Sequence, residues 1–302
     1  MPNIVDPFPD YDFIPEKKVL IESLRSPLPP YIRVNTLKTP EHLIVKAIEK
    51  EGIFIKPIEK VPFFYRAQWE KGLGHAFSYK LGLFYPQALS SALPVMCLAP
   101  RPKELILDMC AAPGGKTTYI AQLTGDTALI VANDRNLGRL SSLTSNIKRL
   151  GITSIVVTSI SGEQFPPHPK FDKVLLDAPC SGEGKYRLDS SGNILFKAKG
   201  KTNLPAIQKG LIVRAYDTLK PGGILVYSTC TLNPLENEDV VTYLLKKRKA
   251  KVLSWNPPVS SGPGLTEFKD RSFHNDCANT RRFYPHQIQS VGFFVAKIFK
   301  PR

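Results

Sequence analysis

Cysteine is scarce in this chain and poorly arranged for cross-linking or metal binding. The 302 residues contain 5 cysteines, at 97, 110, 180, 230 and 277. The number is odd, no C-x-x-C occurs, and no Cys/His grouping has zinc spacing, which excludes a disulfide scaffold and a structural zinc. Free thiols agree with a reducing compartment. Long apolar runs are also lacking, so no segment approaches a membrane span. The start, Met1-Pro2-Asn3-Ile4-Val5-Asp6, has neither the basic nor the apolar part of a secretory signal. Internal repeats are absent. These absences predict a soluble, cytoplasmic, monomeric protein with no membrane partner and no metal. Acid is in deficit too: 26 Asp plus Glu stand against 41 Lys plus Arg, a net charge of +15. That excess favours a polyanionic partner, most often nucleic acid, over a merely basic protein.

The stretch that organises the rest is Leu107-Asp108-Met109-Cys110-Ala111-Ala112-Pro113-Gly114-Gly115-Lys116-Thr117. It follows the apolar run 104–107, a buried strand, and leads into Tyr119–Leu123, the start of a helix. Strand, small-residue turn and helix form the first crossover of a nucleotide-type α/β sheet. Ala111, Ala112, Gly114 and Gly115 let backbone N–H groups approach a ligand, and Pro113 stiffens the turn. A phosphate loop is disfavoured: Gly115-Lys116-Thr117 supplies only its end, and Cys110 stands where its first glycine belongs. Downstream, Ala128–Asn133 is the next strand, ending at Asp134, where a doubly wound fold binds ribose hydroxyls. A small-residue turn plus a ribose acid suits a nucleoside ligand without a phosphate run, such as S-adenosylmethionine; a purely structural turn is the alternative.

Residues 1–30 are proline-punctuated, with one short helix around Glu16–Leu24. A small α+β module follows: a strand at Tyr31–Asn35, a helix capped by Thr39 with Pro40 in its first position and Gly52 at its end, and strands at Ile53–Ile55 and Phe63–Tyr65. Residues 1–80 are assigned to this extension and module, and 81–302 to the larger domain, where Gln87 and Ser90 are candidates to touch a ligand. Leu137–Leu150 is a helix carrying Arg139, and 155–157 is a third strand. Phe171–Asp177 is the fourth, running into Ala178-Pro179-Cys180-Ser181-Gly182-Glu183-Gly184. Lys185–Lys201 is a basic stretch that reads either as a flap over a polyanion or as a solvated loop. Ile224–Cys230 is the fifth strand, and Asn233-Pro234-Leu235-Glu236 reads as the opening of a helix, putting Cys230 just ahead of a helix N-terminus that favours its thiolate. Val291–Phe299 is the last strand.

A single buried cysteine is usually core filler. Two thiols ending two strands at the ligand edge of one sheet, Asp177-Ala178-Pro179-Cys180 and Ser228-Thr229-Cys230, suit pyrimidine chemistry. Carbon 5 of a pyrimidine is a poor nucleophile; a thiolate adding to C6 makes it enamine-like and able to take a methyl group. The C5 proton must then leave, so a second acid/base group is useful. A carboxyl such as Asp177, at N3 and the exocyclic amine, would stabilise the adduct and select cytosine, and the base must be flipped out to reach it.

These residues resemble the RNA cytosine-C5 methyltransferases of the NOL1/NOP2/sun family, which includes bacterial 16S rRNA and archaeal tRNA enzymes. The matching segments are Arg33–Lys38, Tyr85-Pro86-Gln87, Asp108–Thr117, Asn133-Asp134, Leu176–Gly184, Tyr227–Glu238 and Gly292–Ala296. The resemblance implies a class I, Rossmann-like α/β methyltransferase sheet with a small N-terminal RRM-like α+β domain. It implies S-adenosyl-L-methionine as cofactor and RNA as partner, with Cys230 as nucleophile and Cys180 assisting release of the methylated product. Cys110, Ala111, Ala112, Pro113, Gly114, Gly115 and Lys116 would hold the methionine end and Asp134 the ribose, Arg139 and Ser161 would also bind the cofactor, and Asp177 would serve both the cofactor edge and the cytosine. Where the family usually places an Asp against adenine, this chain has Ser161. Small-subunit rRNA is favoured over tRNA as substrate, from Gly182-Glu183-Gly184 and Thr229–Asn233, although the compact length resembles the tRNA branch. A non-catalytic RNA-binding assembly factor is the alternative function, and it would leave both thiols without a purpose.

Overall fold

The computed structural model describes residues 5–195 and 203–302; Lys197, Lys199 and Lys201 of the basic stretch fall outside them. Helix α1 (Lys17–Ser23) precedes a β-α-β-β-α-β module: β1 (Tyr31–Val34), α2 (Glu41–Lys50), β2 (Phe54–Pro57), β3 (Phe64–Gln68), α3 (Phe77–Lys80) and β4 (Phe84–Pro86). Its strands pair antiparallel in the order β2-β3-β1-β4, a split βαβ arrangement. Ile44 and Ile48, one turn apart on α2, pack onto Ile32, Val34 and Phe84 of the sheet. Thr39 does not cap α2. Pro40 stands in the cap position with extended backbone and the first turn opens at Glu41, so the Thr39 hydroxyl lies one residue too early to reach the free N–H groups.

The larger domain continues with α4 (Leu93–Leu98), β5 (Leu105–Asp108), α5 (Gly115–Leu123), β6 (Leu129–Asn133), α6 (Leu137–Leu150), β7 (Ile155–Thr158), β8 (Phe171–Asp177), α7 (Leu204–Asp217), β9 (Leu219–Thr229) and α8 (Glu238–Lys247). Then come β10 (Lys251–Leu253), β11 (Gly262–Pro263), β12 (Glu267–Phe268), β13 (Arg271–Ser272), β14 (Arg281–Phe283), α9 (Pro285–Ile288) and β15 (Phe293–Phe299). The main sheet runs β7-β6-β5-β8-β9-β15-β14-β11, with β10 also on β15 and β12-β13 as a separate hairpin. Strands β5 to β9 are parallel and β15 runs against β9. This is the expected Rossmann-like α/β sheet. Its middle strands are buried on both faces, which is why they read as unbroken apolar runs. The chain builds outward from β5 to β7 and then returns to β8 on β5's other side. A crevice therefore opens at the carboxyl ends of β5 and β8.

The two sheets are pinned together by buried polar groups. Arg33 of β1 is 2% exposed and donates to Gln122 Oε1 at 2.9 Å and Thr118 Oγ1 at 2.7 Å on α5. Asn35 donates to the carbonyls of Gly82 and Leu150, both at 2.9 Å. Burial lowers the Arg33 pKa to about 10, so the guanidinium stays charged at neutral pH.

Helix α8 begins at Glu238, not at Asn233. The Asn233 side chain accepts from Leu235 N at 3.0 Å and closes a local turn, while the Pro234 carbonyl accepts from Asp239 N at 3.0 Å. Cys230 therefore does not sit directly ahead of a helix N-terminus, and its charge state must be set by its neighbours. No helix among the described residues is long and apolar enough to cross a membrane.

Candidate active site

Strands β8 and β9 are neighbours with Asp177 opposite Ser228, so the loops carrying the two thiols leave the sheet side by side. Several contacts then clamp the loops together. Gly184 N donates to the Cys230 carbonyl at 3.0 Å, and Ser181 Oγ and Thr231 Oγ1 are 2.8 Å apart. Glu236 Oε2 accepts from Ser181 N at 2.9 Å and from Gln208 Nε2 at 2.9 Å. Only glycine fits at 184: a Cβ there would lie 2.2 Å from the Gly292 carbonyl oxygen and 2.8 Å from that of Cys230. The clamp brings Cys180 Sγ and Cys230 Sγ to 3.2 Å, and Cys230 N points at Cys180 Sγ at 3.3 Å.

Electrostatics distinguish the two sulfurs. The hydrogen bond from Cys180, together with the nearby Lys185 and Lys116 ammoniums, lowers the Cys230 pKa against the opposing effect of burial. The same hydrogen bond and burial push the Cys180 thiol up. Cys230 is thus the readier thiolate and Cys180 the proton holder.

Asp177 closes the floor beside them. Its Oδ2 accepts from Lys116 Nζ at 2.7 Å and its Oδ1 from Ser228 Oγ at 2.9 Å. Lys116 Nζ also lies 5.3 Å from the centre of the Phe293 ring. The lysine is therefore committed to a carboxylate rather than to a phosphate cradle, which argues against the P-loop reading. Asp134, 3% exposed, accepts from Ala112 N at 3.2 Å and pairs with Arg139 at 3.2 Å.

Two cavities meet at this partition. The larger, about 670 Å³, is lined by Cys110, Asp134, Arg139, Asp177, Cys180 and Cys230, with Met109, Pro179 and Leu211 as apolar walls. Its size and mixture of apolar walls with a few polar groups suit a nucleoside-sized ligand. The smaller, about 330 Å³, is lined by Ala111, Ala112, Pro113, Gly115 and Lys116 and shares Asp177 and Cys230 with the first. Two of the expected residues point elsewhere. Gly114 lies against Leu143, where a Cβ would come within 2.8 Å of Cδ1, and the Ser161 hydroxyl donates to Glu163 Oε2 at 2.7 Å. Gly162 and Glu163 supply the cavity wall on that side.

The sequence reading gave no role to Asp108, the last residue of β5. It is buried, accepts from Thr117 Oγ1 at 2.7 Å, and keeps Oδ1 without a partner among the described residues. Burial pushes its pKa up to about 7. A buried acid with one free oxygen beside the small-residue turn suits the ammonium of an amino-acid ligand. Its position at a strand's carboxyl end was the available signal. Lys185, read only as part of a basic stretch, lines both cavities. No group of three or more His, Cys, Asp or Glu among the described residues could hold a metal.

A family model described as 16S rRNA methyltransferase RsmB/F matches residues 95–299. The chain belongs to this family. The matched part of the RsmB/F fold runs from α4 to β15 and contains the larger cavity and both thiols, while Tyr85–Ser91 of the smaller cavity's wall precede it. Among relatives, the human 28S rRNA (cytosine(4447)-C(5))-methyltransferase is 40% identical, over 99% of this chain and 37% of its own length. The tRNA (cytosine(49)-C(5))-methyltransferase of Pyrococcus abyssi is also 40% identical, over 92% of this chain and 90% of its own. The chain therefore spans little more than a third of the human protein and most of the archaeal one. A crystal structure of a methyltransferase homologue from Pyrococcus horikoshii superposes with a TM-score of 0.82 at 33% identity, covering 98% of this chain and 93% of that one.

Proposed function

We propose that the protein methylates C5 of a cytidine in RNA, using S-adenosylmethionine and a transient covalent bond between Cys230 and C6. The observation that carries this reading is the thiol pair 3.2 Å apart, one sulfur biased toward thiolate, on the partition between two cavities. Relatives named as rRNA and tRNA cytosine-C5 methyltransferases support the same chemistry.

Bound in the larger cavity, S-adenosylmethionine supplies an electrophilic methyl group. Asp134 would hold its ribose hydroxyls and the Gly162–Glu163 wall its base, while its methionine end would pass Cys110, which lines both cavities, to the Ala111-Ala112 backbone and the free Asp108 oxygen. Cys230 adds to C6, which pushes an electron pair onto C5. Asp177, held rigid by Lys116 and Ser228, stabilises the adduct at N3 and the exocyclic amine and so selects cytosine. After C5 takes the methyl, its proton passes to water, the freed electron pair re-forms the C5–C6 double bond, and the C6–S bond breaks with its electrons on the Cys230 sulfur. Cys180, in hydrogen-bond contact with that sulfur, assists this release.

RNA is the partner that the net charge of +15 favours. The N-terminal module, read as RRM-like, offers it a platform: Phe54 is 76% exposed on β2, beside Lys56 and across the strand pair from Arg66 and Gln68. Base stacking on such an aromatic with flanking cations is a sequence-tolerant mode of single-strand binding. Of the two substrate classes, small-subunit rRNA is our preferred reading.

RNA containing 5-fluorocytidine tests the proposal, because fluorine at C5 blocks release after methyl transfer. With cofactor present, wild type should become covalently attached and Cys230→Ala should not. Attachment that survives in Cys230→Ala and vanishes in Cys180→Ala would reverse the roles; none in either or in wild type would remove the proposal. Bisulfite sequencing of host RNA with and without the gene then locates the cytidine.

A further inference from the structure

The smaller cavity contains a polar group that the chemistry above does not use. Gln87 is 6% exposed, yet its Oε1 has no hydrogen-bond partner among the described residues, and its Nε2 reaches only Ser91 Oγ, at 3.4 Å. An unpaired buried amide is costly, so the group is held there against its own desolvation. Its support is firm. Gln87 follows β4, and its backbone N–H donates to the Tyr31 carbonyl of β1 at 3.1 Å. The side chain lies against the turn at the start of α5, where a Cβ on Gly115 would come within 3.5 Å of Gln87 Nε2 and 3.2 Å of the Tyr85 ring. The amide thus lines the chamber that also contains Lys116, Phe293 and the nucleophile Cys230.

Pyrimidine geometry assigns an edge of the substrate to this chamber. With C6 on the Cys230 sulfur and C5 toward the larger cavity, the edge opposite C5 points away from that cavity. Opposite C5 stands C2 with its carbonyl oxygen, flanked by N3 on one side and on the other by N1, which carries the ribose. Asp177 already has both oxygens engaged and faces the other, amino-bearing edge. A free acceptor next to a weakly used donor matches a 2′-hydroxyl, which is itself donor and acceptor.

We infer, resting on the proposed methyl transfer, that Gln87 accepts a hydrogen bond from the 2′-hydroxyl of the target nucleotide and makes the site select ribocytidine over deoxyribocytidine. The probes are randomised RNA oligonucleotides with one central 5-fluorocytidine whose 2′ position is hydroxyl, hydrogen or fluorine, and the readout is the rate of covalent attachment. Wild type should trap the 2′-hydroxyl probe about tenfold faster than the 2′-hydrogen one, the size of one hydrogen bond to a buried acceptor. The 2′-fluoro probe, which cannot donate, should react at the 2′-hydrogen rate. Gln87→Met should react with all three alike by slowing on the 2′-hydroxyl probe alone, whereas Gln87→Glu, which keeps an acceptor, should retain the preference.

A Gln87→Met enzyme with the wild-type preference overturns the inference. So does a wild type that traps the 2′-fluoro probe as fast as the 2′-hydroxyl one, a result that needs no variant to fold. A wild type that traps none of the probes overturns the methyl-transfer reading instead.

Discussion

Two ion pairs at the carboxyl edge of the sheet contain similar groups in different surroundings. Arg282 of β14 and Glu238, the first residue of α8, pair with neither side chain exposed, 0% and 0%. Arg282 Nε donates to Glu238 Oε1 at 2.7 Å and Nη1 to the Leu232 carbonyl at 2.8 Å, with the Phe13 ring centre 4.8 Å away. Leu265 N completes the carboxylate at 3.0 Å. Every charge there is matched. Lys116 and Asp177 are 12% and 29% exposed and lie beside two cavities with room for further partners. A matched buried pair fixes the fold, whereas a pair with open sides remains available to a ligand. The thiols repeat the contrast: burial pushes Cys97 and Cys277 up to about 12, while Cys230 is lowered to about 7.

The strongest way to break this comparison is at the thiols. Cys230→Ala should abolish methylation of RNA, and Cys97→Ala should leave its rate unchanged; equal losses would mean that the difference in charge state between the two thiols has no bearing on the reaction. At the ion pairs, Arg282→Met leaves Glu238 buried and unmatched and should cost about 3–5 kcal/mol in urea unfolding. The surviving folded protein should bind S-adenosylhomocysteine as before. Asp177→Asn should invert that pattern. Methylation should fall roughly 10²–10³-fold, with about 1 kcal/mol or less lost in stability because the pair is partly solvated.

The smallest effect is on pH. If Cys230 is the nucleophile proposed above, the rate of attachment to 5-fluorocytidine RNA should rise about tenfold per pH unit below neutrality and level off above the Cys230 pKa of about 7. Lys185→Met removes a cation that lowers this pKa and should move the midpoint to higher pH. A midpoint that stays put would separate Lys185 from the thiolate.

Much of the candidate site's edge was legible because buried parallel strands announce themselves. Leu105–Asp108, Leu129–Asn133 and Phe171–Asp177 are short apolar runs, and each ends at or one residue before a chemically distinctive side chain. Charge was less legible. Arg33 and Arg282 enter the composition as two more cations for a polyanion, yet both are buried and hold elements together. A count of residues has no information about depth. The segment 255–284 shows no period, so neither β14 nor the Arg282 pair could be read from it. Asn233-Pro234-Leu235-Glu236 misled for a local reason: the same residues that begin helices also close turns, and Glu236 is used instead to tie down Ser181 and Gln208.

By itself the sequence determined the alternation of strands and helices, the small-residue turn after β5, and the residue types at the strand ends, because these depend on local pattern and covalent spacing. Only the tertiary structure decided that sulfurs 50 residues apart meet at 3.2 Å, that the Cys230 thiol is pulled down while the Cys180 thiol is pushed up, and that Gln87, with its unpaired amide oxygen just after β4, lines the same chamber. Hydrogen bonds and electrostatic bias act over a few ångströms. What lies within that distance is set by how the sheets pack, not by the order of residues along the chain.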